Sequence, residues 1–425
     1  MLKIKFLDQL KKRKLISQIT NDIKVNVLLE KKNISIYCGF DPTADSLHVG
    51  HILPLLFLKR FQLKGHTPIV LIGGATSLIG DPSFKLEERK LCNFVDTSSW
   101  IENIKSQISL FLDFSDISNK AIILNNYDWF KKLNIISFLR KIGKNFSVKQ
   151  MINKESVKQR IDRDNKGISF TEFSYSLLQA YDFSILYKNY NTMLQIGGSD
   201  QWGNITSGIH LTHSLYNSEV FGLTLPLLTT STGEKFGKSG LKTIWLDSKK
   251  TTPYEFYQFW LNTTDKNIYN YLKYFTFLSI DKIQKMKKKD KKENTYIKSK
   301  KILAKNVTCL IHGKKKYKIS KKISNIFFSK KLNMLKLKNL KKLKKYNAPH
   351  ICLKNKIYNL KEVLYLTNLA TSYRHARDLI SSNSISINYK KEKNINYIFS
   401  DLDKLFKKYT LLKKGKKTFF LIIWK

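Results

Sequence analysis

Four apolar runs of strand length lie in the first half of the chain, and amphipathic stretches separate them. The runs are ISIYCGF (34–40), PIVLIGG (68–74), AIILNN (121–126) and TMLQIGG (192–198). A helix-like segment follows the first run and ends at Gly65. Strands that alternate with helices predict an α/β fold with a mainly parallel sheet.

The pattern changes after about residue 228. Residues 281–345 hold 25 lysines and three acidic residues, and they predict basic helices, whereas residues 335–349 have the composition of a linker. Further on, LKEVLYLTNL and TSYRHARDLISS predict two short helices, with Thr371 or Ser372 as N-cap of the second, and SISINYKK and TFFLIIW predict strands. The predicted segments are 1–228, 229–330, 331–356 and 357–425.

Length and charge restrict the function. A chain of 425 residues is long enough for two or three domains. Its 77 Lys and Arg against 32 Asp and Glu give a net charge of +45, which favours a polyanionic partner such as nucleic acid. A general drift toward Lys, Asn and Ile explains the charge equally well, and both explanations stay open.

Four cysteines occur without any C-x-x-C pair, so neither a zinc site nor a disulfide framework is expected. This usage fits a reducing, cytoplasmic compartment. Charges interrupt every apolar stretch near the N-terminus, which argues against a signal peptide. No apolar run approaches the roughly 18 residues of a membrane span, so no membrane partner is expected.

The segment YCGFDPTADSLHVGH (37–51) combines a strand, a polar turn and a helix predicted to open near Ser46. A helix N-terminus suits phosphate. His48 and His51 are three residues apart and share one side of the first turn, and Gly50 between them permits close approach of a nucleotide. The alternative is a pair of structural histidines.

Two further clusters offer polar groups to a small ligand. In GGATSLIGDPS (73–83), Asp81 follows a buried strand, at the end of the strand where parallel sheets bind ligands. In FTEFSYSLLQAYDF (170–183), Tyr175, Gln179 and Asp182 share one helix face. The competing interpretations are a turn carboxylate for the first cluster and a partly exposed polar face for the second.

The last two clusters suit a nucleotide. In QIGGSDQWGN (195–204), Asp200 and Gln201 follow glycines, and Asp200 could accept hydrogen bonds from ribose hydroxyls. KFGKS (235–239) forms a cationic loop, which is a weak signal in so lysine-rich a chain. The segment supports a nucleotide site because it follows the other four clusters in a fixed order along the chain.

Together these residues resemble bacterial tyrosyl-tRNA synthetases, which are class I aminoacyl-tRNA synthetases. HVGH stands where the family has its HIGH signature, KFGKS stands where it has KMSKS, and SYRHARDLISSNSISIN resembles the core of an S4 RNA-binding domain. The resemblance implies a Rossmann-like parallel-sheet catalytic domain (1–228), a KFGKS loop with a helical tRNA-binding domain (229–330), a linker (331–356) and a small α+β S4-like domain (357–425).

The resemblance also implies an enzyme that activates L-tyrosine with ATP and Mg²⁺ and then charges tRNA(Tyr), as a homodimer in the cytoplasm. No tightly bound cofactor and no metal ligands are implied. Lys235 and Lys238 would bind pyrophosphate. The residues implied for tyrosine are Tyr37, Asp81, Tyr175, Gln179, Asp182 and Gln201. The residues implied for ATP are Cys38, Gly39, Asp41, His48, Gly50, His51, Gly198, Asp200 and Lys238.

Two departures from the family pattern bear on these expectations. GLK follows KFGKS where many relatives have an acidic residue and small residues, and Pro54 is expected to bend the helix after HVGH. Three alternatives remain: a tryptophanyl-tRNA synthetase, a nucleotidyltransferase that uses H-x-G-H, and a non-catalytic RNA-binding relative. The S4-like tail and the pair Tyr37 and Asp182 argue against a tryptophanyl enzyme. The tail also argues against a nucleotidyltransferase, and intact HVGH and KFGKS argue against a non-catalytic relative.

Overall fold

The computed structural model describes residues 5–31, 33–83, 94–161, 167–228, 236–239, 242–328, 336–346, 348–354, 356–415 and 418–425. The chain divides into two compact units. The first comprises Met1–Thr252 and Phe259–Ile311, and the second comprises Pro253–Gln258 and His312–Lys425. Within the described ranges, no helix has the length and apolar character needed to cross a membrane.

The first unit is built on a six-stranded sheet in the order β1-β6-β5-β2-β3-β4. Its strands are β1 (Gln18–Ile19), β2 (Ser35–Phe40), β3 (Thr67–Ile72), β4 (Ile122–Asn125), β5 (Thr192–Gly198) and β6 (Phe221–Leu225). All neighbours are parallel except the short β1, which pairs antiparallel with β6. The α/β prediction is confirmed, and each of the four apolar runs forms a strand.

Helices connect and cover these strands. In the first part of the chain they are α1 (Phe6–Lys12), α2 (Asp22–Glu30), α3 (Ile52–Gln62), α4 (Thr76–Ile79), α5 (Phe94–Ile108), α6 (Tyr127–Phe130), α7 (Ile135–Lys141), α8 (Val148–Ile152), α9 (Glu155–Ile161), α10 (Phe170–Tyr190) and α11 (Trp202–Tyr216). A two-stranded sheet, β7 (Lys238–Ser239) and β8 (Lys242–Thr243), lies between β6 and α12 in sequence. Two helices follow, α12 (Pro253–Leu261) and α13 (Ile268–Phe275), and the lysine-rich region then forms helices, as predicted: α14 (Ile280–Lys292) and α15 (Ile297–Phe327).

Helix α3 begins later than the sequence suggested. His48 has extended backbone and caps a 3-10 turn at Val49–His51, after which α3 runs from Ile52 to Gln62. Pro54 therefore falls in the first turn of α3, where a backbone N–H has no partner within the helix. At this position the proline removes no hydrogen bond within α3, so the reason for expecting a bend at Pro54 does not apply.

Helix α10 carries three of the predicted site residues. The Ser169 hydroxyl caps its start by accepting the Glu172 N–H at 3.3 Å, and Asn191, in the left-handed conformation, ends it. Its 21 residues keep Tyr175, Gln179 and Asp182 on one continuous helix. The helical spacing predicted for this segment is confirmed.

The second unit contains a five-stranded sheet in the order β11-β10-β12-β13-β9, in which β9 and β13 are parallel and the other pairs are antiparallel. Its strands are β9 (His350–Leu353), β10 (Ile385–Ile387), β11 (Lys390–Lys391), β12 (Tyr409–Lys414) and β13 (Thr418–Trp424). Its remaining helices are α16 (Leu337–Lys345), α17 (Leu360–Leu366) and α18 (Tyr373–Ser381). Ser372 caps α18, as predicted, by accepting the His375 N–H at 3.1 Å.

The uninterrupted apolar run of β13 has a structural reason. Ile422 and Trp424 join one core with residues of α17 and α18, whereas Leu421 and Ile423 join another with Leu340 and other residues of α16. Because both faces of the sheet are covered, neither set of side chains is polar. The stretch expected to be a linker thus contributes a helix that buries Leu340 and Leu343, and a strand, over its described residues.

Candidate active site

The predicted clusters meet at one edge of the parallel sheet. The parallel strands have the order β6-β5-β2-β3-β4, so the direction of strand addition reverses between β2 and β5. Ligands of open α/β sheets bind outside the carboxyl ends of the strands at such a switch point. Cluster 37–51 spans the end of β2, cluster 195–204 spans the end of β5, and cluster 73–83 follows β3.

Asp182 is a buried carboxyl group that two donors hold in place. Asn126 donates from Nδ2 to its Oδ2 at 3.1 Å, and the Trp129 indole donates from Nε1 to its Oδ1 at 2.9 Å. Burial raises the pKa of Asp182 to about 8, and the two hydrogen bonds oppose that rise. A carboxylate has about four acceptor positions, so this fixed group can accept a further hydrogen bond from a ligand.

Tyr37 presents a buried hydroxyl in the same region. Its side chain is 1% exposed, and no residue that the structure describes forms a hydrogen bond with its hydroxyl. Burial raises the pKa of Tyr37 well above its usual range, and the negative charge of Asp182 adds to the rise. Leaving a buried polar group unpaired costs about 1–3 kcal/mol, so a ligand hydroxyl placed here would recover that energy.

A hydrogen-bond network joins Asp182 to Asp41. Thr76 donates from Oγ1 to Asp41 Oδ1, and Tyr175 donates from its hydroxyl to Asp41 Oδ2, both at 2.8 Å. Asn126 donates to Thr76 Oγ1 at 3.0 Å as well as to Asp182. The network orients two carboxylates together, and each member fixes the rotamer of its neighbour.

Asp81 and Gln201 form a second polar pair. The Gln201 amide donates from Nε2 to Asp81 Oδ2 at 2.8 Å, and the Ser83 backbone N–H donates to Asp81 Oδ1 at 3.0 Å. Asn204 in turn donates to Gln201 Oε1 at 3.3 Å. Asp81 is only 7% exposed, so this carboxylate is suited to hold a cation that displaces its water.

His48 and His51 stack with ring centroids 4.0 Å apart. The Gly50 N–H donates to His48 Nδ1 at 3.0 Å, and the His48 N–H donates to His51 Nδ1 at 3.1 Å. Because Nδ1 accepts in both rings, each neutral imidazole carries its proton on Nε2. A Cβ at position 50 would lie 2.7 Å from His48 Cε1, so the glycine is required for this arrangement.

The KFGKS segment approaches HVGH through its glycine. Gly237 has φ +95°, and a Cβ there would lie 2.7 Å from Val49 Cγ2. Phe236 is buried and stacks on Phe275, with ring centroids 5.8 Å apart and an interplanar angle of 15°. Lys235 and the side chain of Lys238 lie outside the residues that the structure describes.

The remaining predicted residues lie near the ends of β2 and β5 and in the middle of α10. Gly39 is exposed, and Cys38 beside it is buried. Burial and then the nearby Asp200 charge raise the pKa of Cys38 to about 12, so its thiol is protonated at neutral pH. Gly198 ends β5, and Gln179 is half-buried on α10.

Sequence reasoning missed the residues that support the carboxylates: Asn126, Trp129, Thr76 and Asn204. One signal was available, because Asn126 is the last residue of the run AIILNN, at the carboxyl end of a predicted strand, where ligand-binding residues gather. Trp129 and Thr76 had no such signal, since an aromatic residue or a threonine in a short helix is common. Their role becomes visible only when α4 and α6 lie beside α10.

Comparison with known proteins identifies the family. The description "tRNA synthetases class I (W and Y)" matches residues 29–329, and "Tyrosine--tRNA ligase SYY-like C-terminal domain" matches residues 339–422. A tyrosine--tRNA ligase of Buchnera aphidicola subsp. Schizaphis graminum is 54% identical over 98% of this chain and 99% of its own length. One of Yersinia pestis (strain Pestoides F) is 50% identical over 98% of each chain.

A solved structure supports the same conclusion. The C-terminally truncated mitochondrial tyrosyl-tRNA synthetase of Aspergillus nidulans is 31% identical and has a TM-score of 0.68, covering 75% of this chain and 92% of its own. The chain therefore belongs to the class I aminoacyl-tRNA synthetases, in the family of bacterial tyrosine--tRNA ligases.

Proposed function

We propose that this chain joins tyrosine to tRNA(Tyr) in two steps at the end of the parallel sheet. ATP first converts tyrosine to tyrosyl-adenylate with release of pyrophosphate, and the tyrosyl group then passes to the 3′-terminal adenosine of the tRNA. The observation that carries the proposal is the buried Tyr37 hydroxyl beside the fixed carboxyl of Asp182. We name Tyr37, Asp182, Asn126 and Trp129 the phenol end.

The phenol end selects tyrosine by its hydroxyl. The ligand phenol would donate to Asp182 and share a hydrogen bond with the Tyr37 hydroxyl. Phenylalanine would leave the Tyr37 hydroxyl unpaired and would donate nothing to Asp182, a penalty for which tyrosyl-tRNA synthetases are themselves the standard illustration, at about 10⁵-fold discrimination. Tryptophan would be too large for a phenol pocket of this kind.

The substrate ammonium and carboxylate bind between the phenol end and the residues proposed to bind the phosphates. Asp81, Tyr175 and Gln179 hold the ammonium, and Gln201 lies close to the reacting carboxylate. Support comes from the buried charge of Asp81, which Ser83 and Gln201 orient, and from Tyr175, which Asp41 orients. An oriented carboxylate loses little side-chain entropy when it pairs with an ammonium group.

The phosphate end comprises His48, Gly50, His51 and Gly237. Both imidazoles carry their protons on Nε2 and can donate to the α-phosphate as charge develops on it. Lys235 and Lys238 bind the departing pyrophosphate, and Cys38, Gly39, Asp41, Gly198 and Asp200 contact the nucleoside. The supporting observation is the backbone bond to Nδ1 of each ring, which leaves Nε2 as the donor.

The reaction needs positioning more than proton transfer. The tyrosine carboxylate is already a nucleophile, and one of its oxygens bonds to the α-phosphorus while the bond to pyrophosphate breaks. Catalysis then rests on alignment and on stabilising the charge of the phosphate oxygens. Magnesium would enter with the ATP substrate and shield the charge of its phosphates.

The proposed reaction suggests a function for each segment of the chain. We assign residues 1–228 to catalysis, 229–330 to the KFGKS loop and a helical tRNA-binding region, 331–356 to a connection, and 357–425 to RNA binding. The 25 lysines of 281–345 support phosphate contacts, which add affinity but little sequence discrimination. The reaction requires tRNA and ATP, so we assign the enzyme to the cytoplasm.

Assembly into a homodimer has support from a stretch of the chain with exposed apolar side chains. Seven large apolar side chains between residues 135 and 170 are 40–79% exposed: Ile135, Ile136, Leu139, Val148, Ile152, Ile161 and Phe170. Exposed apolar groups at this density mark interaction surfaces. Light scattering of the wild type should give the mass of two chains, and Phe170→Glu should give one chain. A monomeric wild type would refute the homodimer.

The test of the proposed function is tyrosine-dependent exchange of pyrophosphate into ATP, with phenylalanine and tryptophan as controls. Exchange with tyrosine alone would support both the activation step and the phenol end. Exchange with tryptophan alone would favour a tryptophanyl enzyme. A folded chain that binds tRNA but exchanges with neither amino acid would favour a non-catalytic RNA-binding role.

A further inference from the structure

The segment that follows KFGKS is hydrogen-bonded to HVGH. The Val49 N–H donates to the Ile244 carbonyl at 3.0 Å, and the Leu246 N–H donates to the Leu47 carbonyl at 2.8 Å. His48 and Trp245 thereby face each other in an antiparallel bridge. The residues that follow KFGKS therefore pair with the stretch that contains His48.

Trp245 is a second aromatic neighbour of His48. Its ring centroid lies 6.3 Å from that of His48, with an interplanar angle of 56°, while His51 stacks on His48 at 4.0 Å. The Trp245 backbone N–H donates to Thr251 Oγ1 at 3.0 Å, which fixes the chain at this residue. The position of the His48 ring therefore depends on side chains from two separate segments.

Lys250 contacts the Trp245 ring and forms an ion pair with Asp45. The Lys250 ammonium lies 5.2 Å from the centroid of the Trp245 ring, within cation–π range. It also pairs with Asp45 at 2.5 Å, and Asp45 lies in the turn just before HVGH. The two charged side chains remain 34% and 38% exposed, so the pair contributes little to stability. We call Asp45, Trp245 and Lys250 the latch.

We propose that the latch is a positioning device for His48, with Trp245 as its central positioning residue. The backbone bond from Gly50 selects the tautomer of His48, but it leaves the tilt of the ring to packing. The latch sets the tilt of the His48 ring and makes that tilt depend on the segment that follows KFGKS. This inference rests on the proposed function, because it concerns how His48 meets the α-phosphate.

The test measures pyrophosphate exchange in the full-length chain with Trp245→Ala, Trp245→Phe and Lys250→Met. Misplacement of a catalytic group by about 1 Å can cost on the order of 100-fold in rate. We expect Trp245→Ala to lower kcat at least about tenfold with an unchanged KM for tyrosine. Trp245→Phe, which keeps an aromatic ring, should stay within about threefold of the wild type, and Lys250→Met should fall between the two.

Two comparisons separate positioning from a general loss of structure. Lys24→Met breaks an ion pair of similar length, 2.8 Å to Glu219, away from HVGH, and it should leave exchange unchanged. The double variant Trp245→Ala with Lys250→Met should be no slower than Trp245→Ala alone, because Lys250 acts only through the tryptophan.

Each outcome bears on a different statement. An unchanged kcat in Trp245→Ala would overturn the latch while leaving the proposed function intact. An equal loss in Trp245→Ala and Trp245→Phe, or a loss of tyrosine binding in a folded variant, would also overturn it, since neither fits a role in tilting His48. A folded wild type without exchange would overturn the proposed function and the latch together.

Discussion

At the phenol end the polar groups come from separate elements and are buried, whereas at the phosphate end they come from one short stretch and are half-buried. Asp182 lies on α10 and Trp129 on α6, and the carboxyl is 2% exposed. His48 and His51 lie within four residues, and backbone N–H groups of the same stretch orient them. The phenol end depends on tertiary packing, while the phosphate end depends mainly on local backbone.

The difference matches the chemistry that each end performs. Selecting a hydroxyl requires dry, unpaired partners whose desolvation penalises the wrong ligand. Binding phosphates requires donors along accessible backbone and side chains, since the polyphosphate must enter and leave. A substitution at the phenol end should therefore change which amino acid is used, and one at the phosphate end should change how fast it reacts.

The largest effect should follow Asp182→Asn. The amide keeps the shape of the carboxyl, but it offers N–H where Asn126, Trp129 and the substrate hydroxyl all need an acceptor. We expect kcat/KM for tyrosine to fall about 10³-fold, with little change for phenylalanine. Exchange assays with both amino acids measure the ratio; an unaltered preference for tyrosine would refute the role of Asp182.

The second effect should come from Gly237→Ala at the phosphate end. The added Cβ would lie 2.7 Å from Val49 Cγ2 in a backbone with φ +95°, so the segment has to shift away from HVGH. We expect kcat to fall about 100-fold while KM for tyrosine stays unchanged. In Gly143→Ala the nearest atom lies 3.8 Å away, and this control should retain full activity. A raised KM for tyrosine would show that the two ends are not separable.

A smaller effect should follow Trp129→Phe. The ring remains, but Asp182 loses the indole donor at 2.9 Å, and leaving a buried acceptor without its donor costs about 1–3 kcal/mol. We expect at least about a tenfold loss in kcat/KM for tyrosine. Trp424→Phe, which also removes one buried indole hydrogen bond, of 2.9 Å to Thr410, is the matched control in the second unit. Equal losses in both variants would indicate a general effect on stability.

The smallest effect concerns a buried histidine in the core near the C-terminal end of α3. His66, just beyond α3, is 1% exposed, and no described residue pairs with either ring nitrogen. Burial lowers its pKa below the usual 6.5, so the unfolded chain binds the proton more readily. Stability is then complete above about pH 6.5 and is lost as the pH falls, by no more than about 1.4 kcal/mol per pH unit.

Denaturant unfolding between pH 5 and 7 measures this slope in the wild type and in His66→Phe. The variant should lose less stability on acidification than the wild type. Parallel curves would mean that His66 titrates alike in the folded and unfolded chain.

The sequence predicted the phosphate end more completely than the phenol end. HVGH contains its own donors and acceptors, so spacing alone predicted that His48 and His51 would share one side of a turn. The start of α3 was misplaced because the backbone is extended at His48 and forms a 3-10 turn at Val49–His51 before α3 begins at Ile52. For Asp182 the spacing gave the helix face, but the donors Asn126 and Trp129 are more than 50 residues away in sequence.

The sequence by itself determined the parallel α/β architecture, the order of the clusters and the family. These properties follow from local periodicity and from residues that are close in the chain. Only the tertiary structure decided which donors orient Asp182 and Asp41 and how Trp245 packs against His48. It also decided that β13 needs apolar residues on both of its faces. Those contacts join distant segments, and their energy depends on burial and geometry that no local pattern encodes.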